Sequence, residues 1–149
     1  MPDIFLDDLA PGQTYDLGRR RVGREEILAF ARDYDPQAFH VDEDAAGASI
    51  YGGLIASGWH TAALYMRLLV DGFLGRAAAM GSPGVDELRW LKPVRPGDVL
   101  HGRLEILEVR PSRSRPDRGL ARCRSEVLNQ HGEAVLTFVA TIFFGRREP

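Results

Sequence analysis

The sequence predicts an α+β fold in which one antiparallel sheet curls around a long buried helix. Two patterns support this prediction. Residues 57–73 are apolar on almost every face of a helix, whereas the segments after residue 87 alternate between apolar and polar positions, as strands do. The chain has 149 residues, 44% of them hydrophobic. This is typical of one globular domain, so we assign residues 1–149 to a single domain.

The first part of the chain predicts a strand and then a helix. Residues 13–22 are a candidate short strand, and residues 24–34 are a candidate amphipathic helix. The apolar residues of this helix have the i, i+3, i+4, i+7 spacing: Ile27, Phe30, Ala31 and Tyr34. Pro36 ends the helix, because the residue before a proline avoids the helical conformation. A long loop is then expected up to residue 57.

The second helix begins near Ser57, a favourable N-cap residue, and runs to Phe73. After the cap, only four of its side chains are polar: His60, Thr61, Arg67 and Asp71. A helix that is apolar all round is usually buried. We therefore expect the rest of the chain to surround it.

Four strands follow the buried helix. Period-two alternation places them near residues 88–90, 99–109, 121–127 and 135–144. Residues 129–132 predict a turn before the last strand. Because both faces of that strand are apolar, we expect both faces to be covered.

The charge and hydropathy of the chain exclude two classes of protein. The net charge of −2 is not that of a nucleic-acid-binding protein, which needs a strongly basic surface. The longest apolar stretch, residues 134–144, is well short of the ~20 residues that span a bilayer. We expect neither a nucleic-acid partner nor a membrane partner.

The single cysteine, Cys123, cannot form a disulfide within the chain, and its position on an apolar strand face predicts a place in the core. The first eight residues are acidic where a secretion signal would be basic. Nothing therefore requires an oxidising compartment, and a cytoplasmic location is expected. The histidines His60, His101 and His131 lack any ligand spacing, so no metal is expected.

Asp35 and His40 are the first candidates for chemistry. The carboxylate ends the first helix, and the imidazole follows five residues later, so the two side chains could converge. A histidine titrates near neutral pH, and a carboxylate can orient it for general acid/base work. The alternative is an ordinary Asp-Pro helix stop with no catalytic role.

Small residues surround the start of the buried helix. In residues 51–61 they allow a ligand to approach the backbone closely, and the free N–H groups of Ser57, Gly58 and Trp59 would face outward. Such donors suit an oxygen that becomes negative during a reaction, such as a thioester carbonyl turning into an enolate. The alternative is that the glycines serve tight helix packing.

Four motifs together resemble the MaoC-like dehydratases, relatives of the R-specific enoyl-CoA hydratases, over nearly the whole chain. They are Asp-x-x-x-x-His-x-Asp at residues 35–42, Gly-Leu-Ile-Ala-Ser-Gly-Trp-His-Thr at 53–61, Leu-Lys-Pro-Val-Arg-Pro-Gly-Asp at 91–98 and Asn-Gln-x-Gly-Glu at 129–133. The resemblance implies a hot-dog fold, a sheet wrapped around a long helix. It also implies a homodimer in which two sheets join edge to edge.

The resemblance further implies reversible hydration of a trans-2-enoyl thioester, most often on coenzyme A, with no metal or cofactor. Asp35 and His40 would hold the catalytic water, and the Gly58 N–H would polarise the thioester carbonyl. We expect four further residues to contact the substrate: Gln37, Asp42, Ser57 and Trp59. Which member of the dyad accepts the water proton is left open.

The chain departs from the usual pattern of these hydratases at four positions. Pro36 directly follows Asp35, Gln37 stands where asparagine is usual, Ser57 replaces a histidine, and Met66 stands where a serine is often found in the buried helix. The spacing of the Asp35–His40 pair is retained. These departures bear on the acyl group accepted rather than on the type of reaction.

Several basic residues are candidates for binding the phosphates of coenzyme A, because the guanidinium fork suits phosphate. Four lie in one predicted hairpin loop: Arg110, Arg113, Arg115 and Arg118. Three lie in the first of the four strands or directly after it: Arg89, Lys92 and Arg95. A solvated loop is the alternative for the hairpin.

Two other functions remain open. A thioester hydrolase on the same fold would direct water to the carbonyl carbon and release a free thiol. A non-catalytic acyl-CoA-binding module would keep the fold without turnover, although the presence of both Asp35 and His40 argues against it.

Overall fold

The computed structural model describes residues 1–147 and places four helices in the first half of the chain. They are α1 (Arg24–Tyr34), α2 (Ala38–Val41), α3 (Glu43–Gly47) and α4 (Gly58–Gly72). The helices α1 and α4 confirm the two that the sequence predicts. The expected long loop between them is wrong, because α2 and α3 occupy much of it. At four and five residues they are too short to show a helical period.

Five strands form one antiparallel sheet: β1 (Thr14–Arg21), β2 (Gly84–Trp90), β3 (Val99–Pro111), β4 (Arg118–Leu128) and β5 (Ala134–Gly145). Their order across the sheet is β1-β3-β4-β5-β2, so β1 and β2 are the edge strands. The sheet packs on α4, and the α+β prediction is confirmed. Asn129 and Gly132 make the predicted turn before β5, with the Gly132 N–H donating to the Asn129 carbonyl at 3.0 Å.

The core lies between α4 and one face of the sheet. Tyr65 and Leu69 of α4 are 1% and 3% exposed, and Leu104 and Val127 of the sheet are no more exposed than Tyr65. Cys123 is completely buried among them, as the sequence predicts. Burial of large apolar side chains is the main stabilising contribution to such a fold.

The expectation that protein surrounds α4 on all sides is wrong. Trp59, Met66 and Val70 lie on one side of the helix and are 59%, 48% and 40% exposed. The sheet of the same chain covers only the opposite side, because one sheet can contact only one face of a helix. Helix α4 therefore presents an apolar face that the described part of this chain leaves open.

The expectation for the last strand is also wrong. In β5, buried residues alternate with half-buried ones, so one face lies against α4 and the other, which includes Val139 and Phe143, remains partly open to solvent. The prediction took an apolar face to be a covered face, but apolar side chains are also common on partly exposed surfaces. Among the described residues, no helix has the length and hydropathy needed to cross a bilayer.

Candidate active site

A cavity of about 390 Å³ opens where α1, α2 and the start of α4 meet the end of β2. It contains the carboxylate of Asp35 and the imidazole of His40, and both lie next to Gly58, the first residue of α4. Aromatic and aliphatic side chains form most of the remaining wall: Phe39, Tyr51, Ile55, Trp59, Trp90, Leu91 and Val94. The cavity is thus a mainly apolar pocket with a few convergent polar groups, the usual character of a small-molecule site.

Asp35 caps the C-terminal end of α1, because the following Pro36 cannot continue the helix. Its Oδ1 accepts a hydrogen bond from Nε2 of Gln37 at 2.7 Å, and its Oδ2 accepts one from Oγ of Ser57 at 2.7 Å. Burial by itself would raise the pKa of Asp35. The two hydrogen bonds, with a contribution from the charge of His40, outweigh it and hold the pKa below its ordinary value.

His40 lies in α2, where it is 5% exposed. Its Nδ1 is 2.7 Å from the carbonyl oxygen of Ile55, and its Nε2 is 3.3 Å from Oδ2 of Asp35. A carbonyl oxygen can only accept, so Nδ1 must carry the hydrogen. In the neutral ring, Nε2 therefore presents a lone pair to the carboxylate. Two acceptor atoms then face each other. A proton shared between them satisfies this arrangement, and so does a water molecule that donates to both atoms from one side.

Ser57 is the N-cap of α4 and is completely buried. Its Oγ donates to Asp35 and accepts from the Trp59 N–H at 3.3 Å. The expected contact between Ser57 and substrate is therefore not supported, since its hydroxyl is already engaged and does not line the cavity. The N–H groups of Ser57, Gly58 and Trp59 were all expected to face outward. This is wrong for Trp59, because its N–H donates to the Ser57 hydroxyl.

Gly58 borders the cavity, and its N–H has no acceptor within residues 1–147. The indole of Trp90 packs against this glycine, so that a Cβ at residue 58 would lie 2.5 Å from Cε2 of Trp90. Nε1 of Trp90 donates to the Gly58 carbonyl at 2.8 Å, and the Trp59 ring meets the Trp90 ring edge-on. Tight packing therefore explains the glycine, which was one of the two alternatives, and the Gly58 N–H has no partner among the described residues.

Trp90 is the site residue that sequence reasoning missed. It was treated only as part of a strand, because its contact with Gly58 joins residues 32 positions apart and leaves no local pattern. Of the expected substrate contacts, Gln37 and Trp59 do line the cavity. Asp42 does not, since its carboxylate caps α3 by accepting from the backbone N–H groups of Asp44 and Ala45.

The basic residues divide between two ends of the molecule. Lys92 lines the cavity and is paired with Glu133, and Arg95 donates to the Tyr51 carbonyl beside it. The 110–118 hairpin lies elsewhere. It is next to the C-terminal end of β5, whereas the cavity is next to the N-terminal end, about 30 Å away at the rise of a strand. Within one chain, the hairpin arginines do not reach the site.

The chain resembles several known proteins in sequence and structure. The family model described as "MaoC like domain" matches residues 8–124. The crystal structure of the MaoC-like dehydratase from Rhodospirillum rubrum superposes with a TM-score of 0.92 and 49% identity over 98% of this chain and 99% of that one.

Two relatives extend the comparison to sequence. The uncharacterised protein YdeM of Bacillus subtilis is 34% identical over 110 residues, which are 73% of this chain and 77% of YdeM. The 3-hydroxybutyryl-CoA dehydratase of Methylorubrum extorquens is 28% identical over 113 residues, which are 75% of this chain and 69% of that protein. The chain belongs to the MaoC-like dehydratase family and has its hot-dog fold.

Proposed function

We propose that this protein is a hydro-lyase that adds water reversibly to a trans-2-enoyl thioester of coenzyme A. The observation that supports this most directly is the pair of acceptor atoms, Oδ2 of Asp35 and Nε2 of His40, 3.3 Å apart in a cavity that Gly58 also lines. This arrangement offers a water-binding position beside a hydrogen-bond donor for a carbonyl. The thioester and coenzyme A assignments draw on family membership and on the activity named for the Methylorubrum relative.

In the hydration direction, the water oxygen forms a bond to the β-carbon of the enoyl group. The π electrons move toward the thioester carbonyl, whose oxygen becomes enolate-like and accepts a hydrogen bond from the Gly58 N–H. One proton of the water passes to the dyad. The dyad then returns a proton to the α-carbon, the carbonyl re-forms, and the sum is one water added across the double bond.

His40 is the better proton acceptor of the two. The hydrogen bonds on Asp35 hold the pKa of that carboxyl low, so it is a weak base. Nε2 of His40 has a free lone pair because Nδ1 is committed to the Ile55 carbonyl. In this proposal Asp35 orients the water and then stabilises the imidazolium that forms next to it.

A homodimer accompanies the proposed function. Strand β2 is an edge of the sheet, and an edge strand leaves backbone groups free to pair with another chain. On that strand, the side chain of Val85 is 50% exposed. On the open face of α4, Met66 and Val70 are exposed to a similar extent. A second copy that paired along β2 would cover apolar surface that one chain leaves exposed.

The test follows two signals after the protein is mixed with crotonyl-CoA, namely the enoyl absorbance and the free thiol. Hydration predicts loss of the enoyl absorbance without thiol release. Asp35→Asn and His40→Ala should each lower kcat by about 10²- to 10⁴-fold, because each removes a proton-transfer partner. Asp33→Asn is the matched control, since it removes an exposed carboxylate from the same helix and should leave kcat unchanged.

The other outcomes separate the alternative functions. Thiol release would identify a thioester hydrolase. Binding of crotonyl-CoA and of longer, branched and dicarboxylic acyl-CoAs without either signal would identify a binding module. Unfolding of the Asp35→Asn and His40→Ala variants would show that the pair serves the structure rather than a reaction.

A further inference from the structure

Ser57 makes a buried contact with the dyad that the hydration mechanism does not itself require. We infer that Ser57 is a positioning residue, which fixes the Asp35 carboxylate relative to both His40 and the Gly58 N–H. This inference rests on the proposed function, in which those three groups act on the same thioester.

The hydrogen-bonding capacity of Ser57 shows where its proton points. A hydroxyl has one hydrogen to donate and two lone pairs with which to accept. The Trp59 N–H donates to Oγ, so it occupies a lone pair and cannot receive the proton. Oδ2 of Asp35, at 2.7 Å, is the acceptor that remains. The serine hydrogen is therefore directed at the same carboxylate oxygen that faces Nε2 of His40.

The two oxygens of Asp35 differ in the kind of partner that holds them. Oδ1 is bonded to Gln37, whose side chain is exposed, so water can replace that bond if it is lost. Oδ2 is bonded to Ser57, which has no exposed surface. Loss of the serine hydroxyl removes the donor that holds Oδ2 from the buried side, and no water can take its place where Ser57 has no exposed surface. The carboxylate is then free to turn away from His40.

Ser57 also couples the dyad to the start of α4. Its carbonyl oxygen accepts from the N–H groups of His60 and Thr61, and its hydroxyl caps the same turn. Gly58 is the next residue in the chain, so its N–H is held by the same turn. One residue thus sets the distance between the groups that move protons and the group that polarises the carbonyl. Small misplacements of such groups are known to reduce rates strongly.

The test compares four variants by kinetics and by carbon NMR of the Asp35 carboxyl group, whose signal is assigned by its absence in Asp35→Asn. Ser57→Ala removes both the cap and the bond to Asp35. Ser57→Gly removes the same two hydrogen bonds at a smaller cost to the helix, because glycine is itself an adequate N-cap. Ser125→Ala is the matched control, since it removes another buried serine hydroxyl that does not line the cavity. Ser57→Thr keeps the hydroxyl at residue 57.

For Ser57→Ala and Ser57→Gly we expect kcat for crotonyl-CoA hydration to fall about 10- to 100-fold with little change in KM. The pKa of Asp35 should rise in both, since a hydrogen bond to the charged form is lost. Ser125→Ala should leave kcat unchanged, and Ser57→Thr should keep kcat close to the wild-type value.

Three results would overturn the inference. The first is an unchanged Asp35 pKa in Ser57→Ala. The second is recovery of kcat in Ser57→Gly, which would assign the whole effect to helix capping. The third is an equal loss of kcat in Ser125→Ala. The NMR titration needs no substrate, so it tests the Ser57–Asp35 contact even if the wild-type protein hydrates no enoyl thioester, which would instead refute the proposed function.

Discussion

The indole of Trp90, at the end of edge strand β2, lies directly against Gly58, and its Nε1–H donates to the Gly58 carbonyl at 2.8 Å. The contact joins the sheet to the first turn of α4. Trp90 therefore helps to fix the position of Gly58 from outside α4. Any side chain at residue 58 would have to displace the indole, because a Cβ would lie 2.5 Å from Cε2.

Gly58→Ala should therefore destabilise the protein by about 1–3 kcal/mol, the usual cost of placing an extra carbon in a packed contact. Urea unfolding measures this. Trp90→Leu in the same chain should reduce the penalty, because the smaller side chain leaves room for the added methyl group. Strict additivity of the two single changes in the double variant would show that Trp90 and residue 58 do not interact in this way.

Tyr65 and Ser125 form a hydrogen bond across the core, with the two oxygens 2.6 Å apart and both residues buried. Tyr65→Phe leaves the Ser125 hydroxyl unpaired and should cost about 1–3 kcal/mol in unfolding free energy. Adding Ser125→Ala should recover part of that loss, since removing both partners leaves no unsatisfied group. If the double variant were instead less stable than the sum of the single variants, the pair would not be acting as a unit.

Cys123 should be chemically inert in the native protein. It is completely buried, and burial raises the pKa of its thiol to about 12, so almost no thiolate forms at neutral pH. A thiol reagent such as Ellman's reagent should react with one equivalent after denaturation and with almost none before it. Rapid reaction of the native protein would place the thiol within reach of solvent.

The proposed dimer predicts a mass in solution of about twice the 16.5 kDa of the chain, which light scattering measures. Val85→Asp places a charge on edge strand β2 and should shift the protein toward the monomer, because charged edges oppose strand pairing. Leu107→Asp is the matched control, since Leu107 is also an exposed apolar strand residue, on β3. Equal dissociation by both changes, or a monomeric wild type, would contradict pairing along β2.

Local patterns were enough to predict α1, α4 and the sheet. They also predicted that Asp35 and His40 converge, because two residues only five positions apart at a helix end stay close in space. Contacts between distant residues could not be predicted. The Ser57–Asp35 hydrogen bond joins residues 22 positions apart, and no periodic pattern in the sequence indicates it. The open face of α4 was missed for a related reason, since an apolar side chain does not reveal whether its cover belongs to the same chain.

The low pKa of Asp35 also predicts how stability depends on pH. The pKa of Asp35 is lower in the folded state than in the unfolded state. Such a carboxyl adds stability at pH values above its unfolded pKa, which is about 3.9 for an aspartate. That contribution is lost as the pH falls through the folded value. The Asp35→Asn variant cannot titrate at this position. The free energy of unfolding of the wild-type protein by urea should therefore exceed that of the variant by less and less between about pH 5 and the acid limit of folding.

Asp33→Asn, which removes an exposed carboxylate, is the reference variant. A difference between wild type and Asp35→Asn that stayed constant with pH would mean that the hydrogen bonds of Gln37 and Ser57 do not favour the ionised carboxylate.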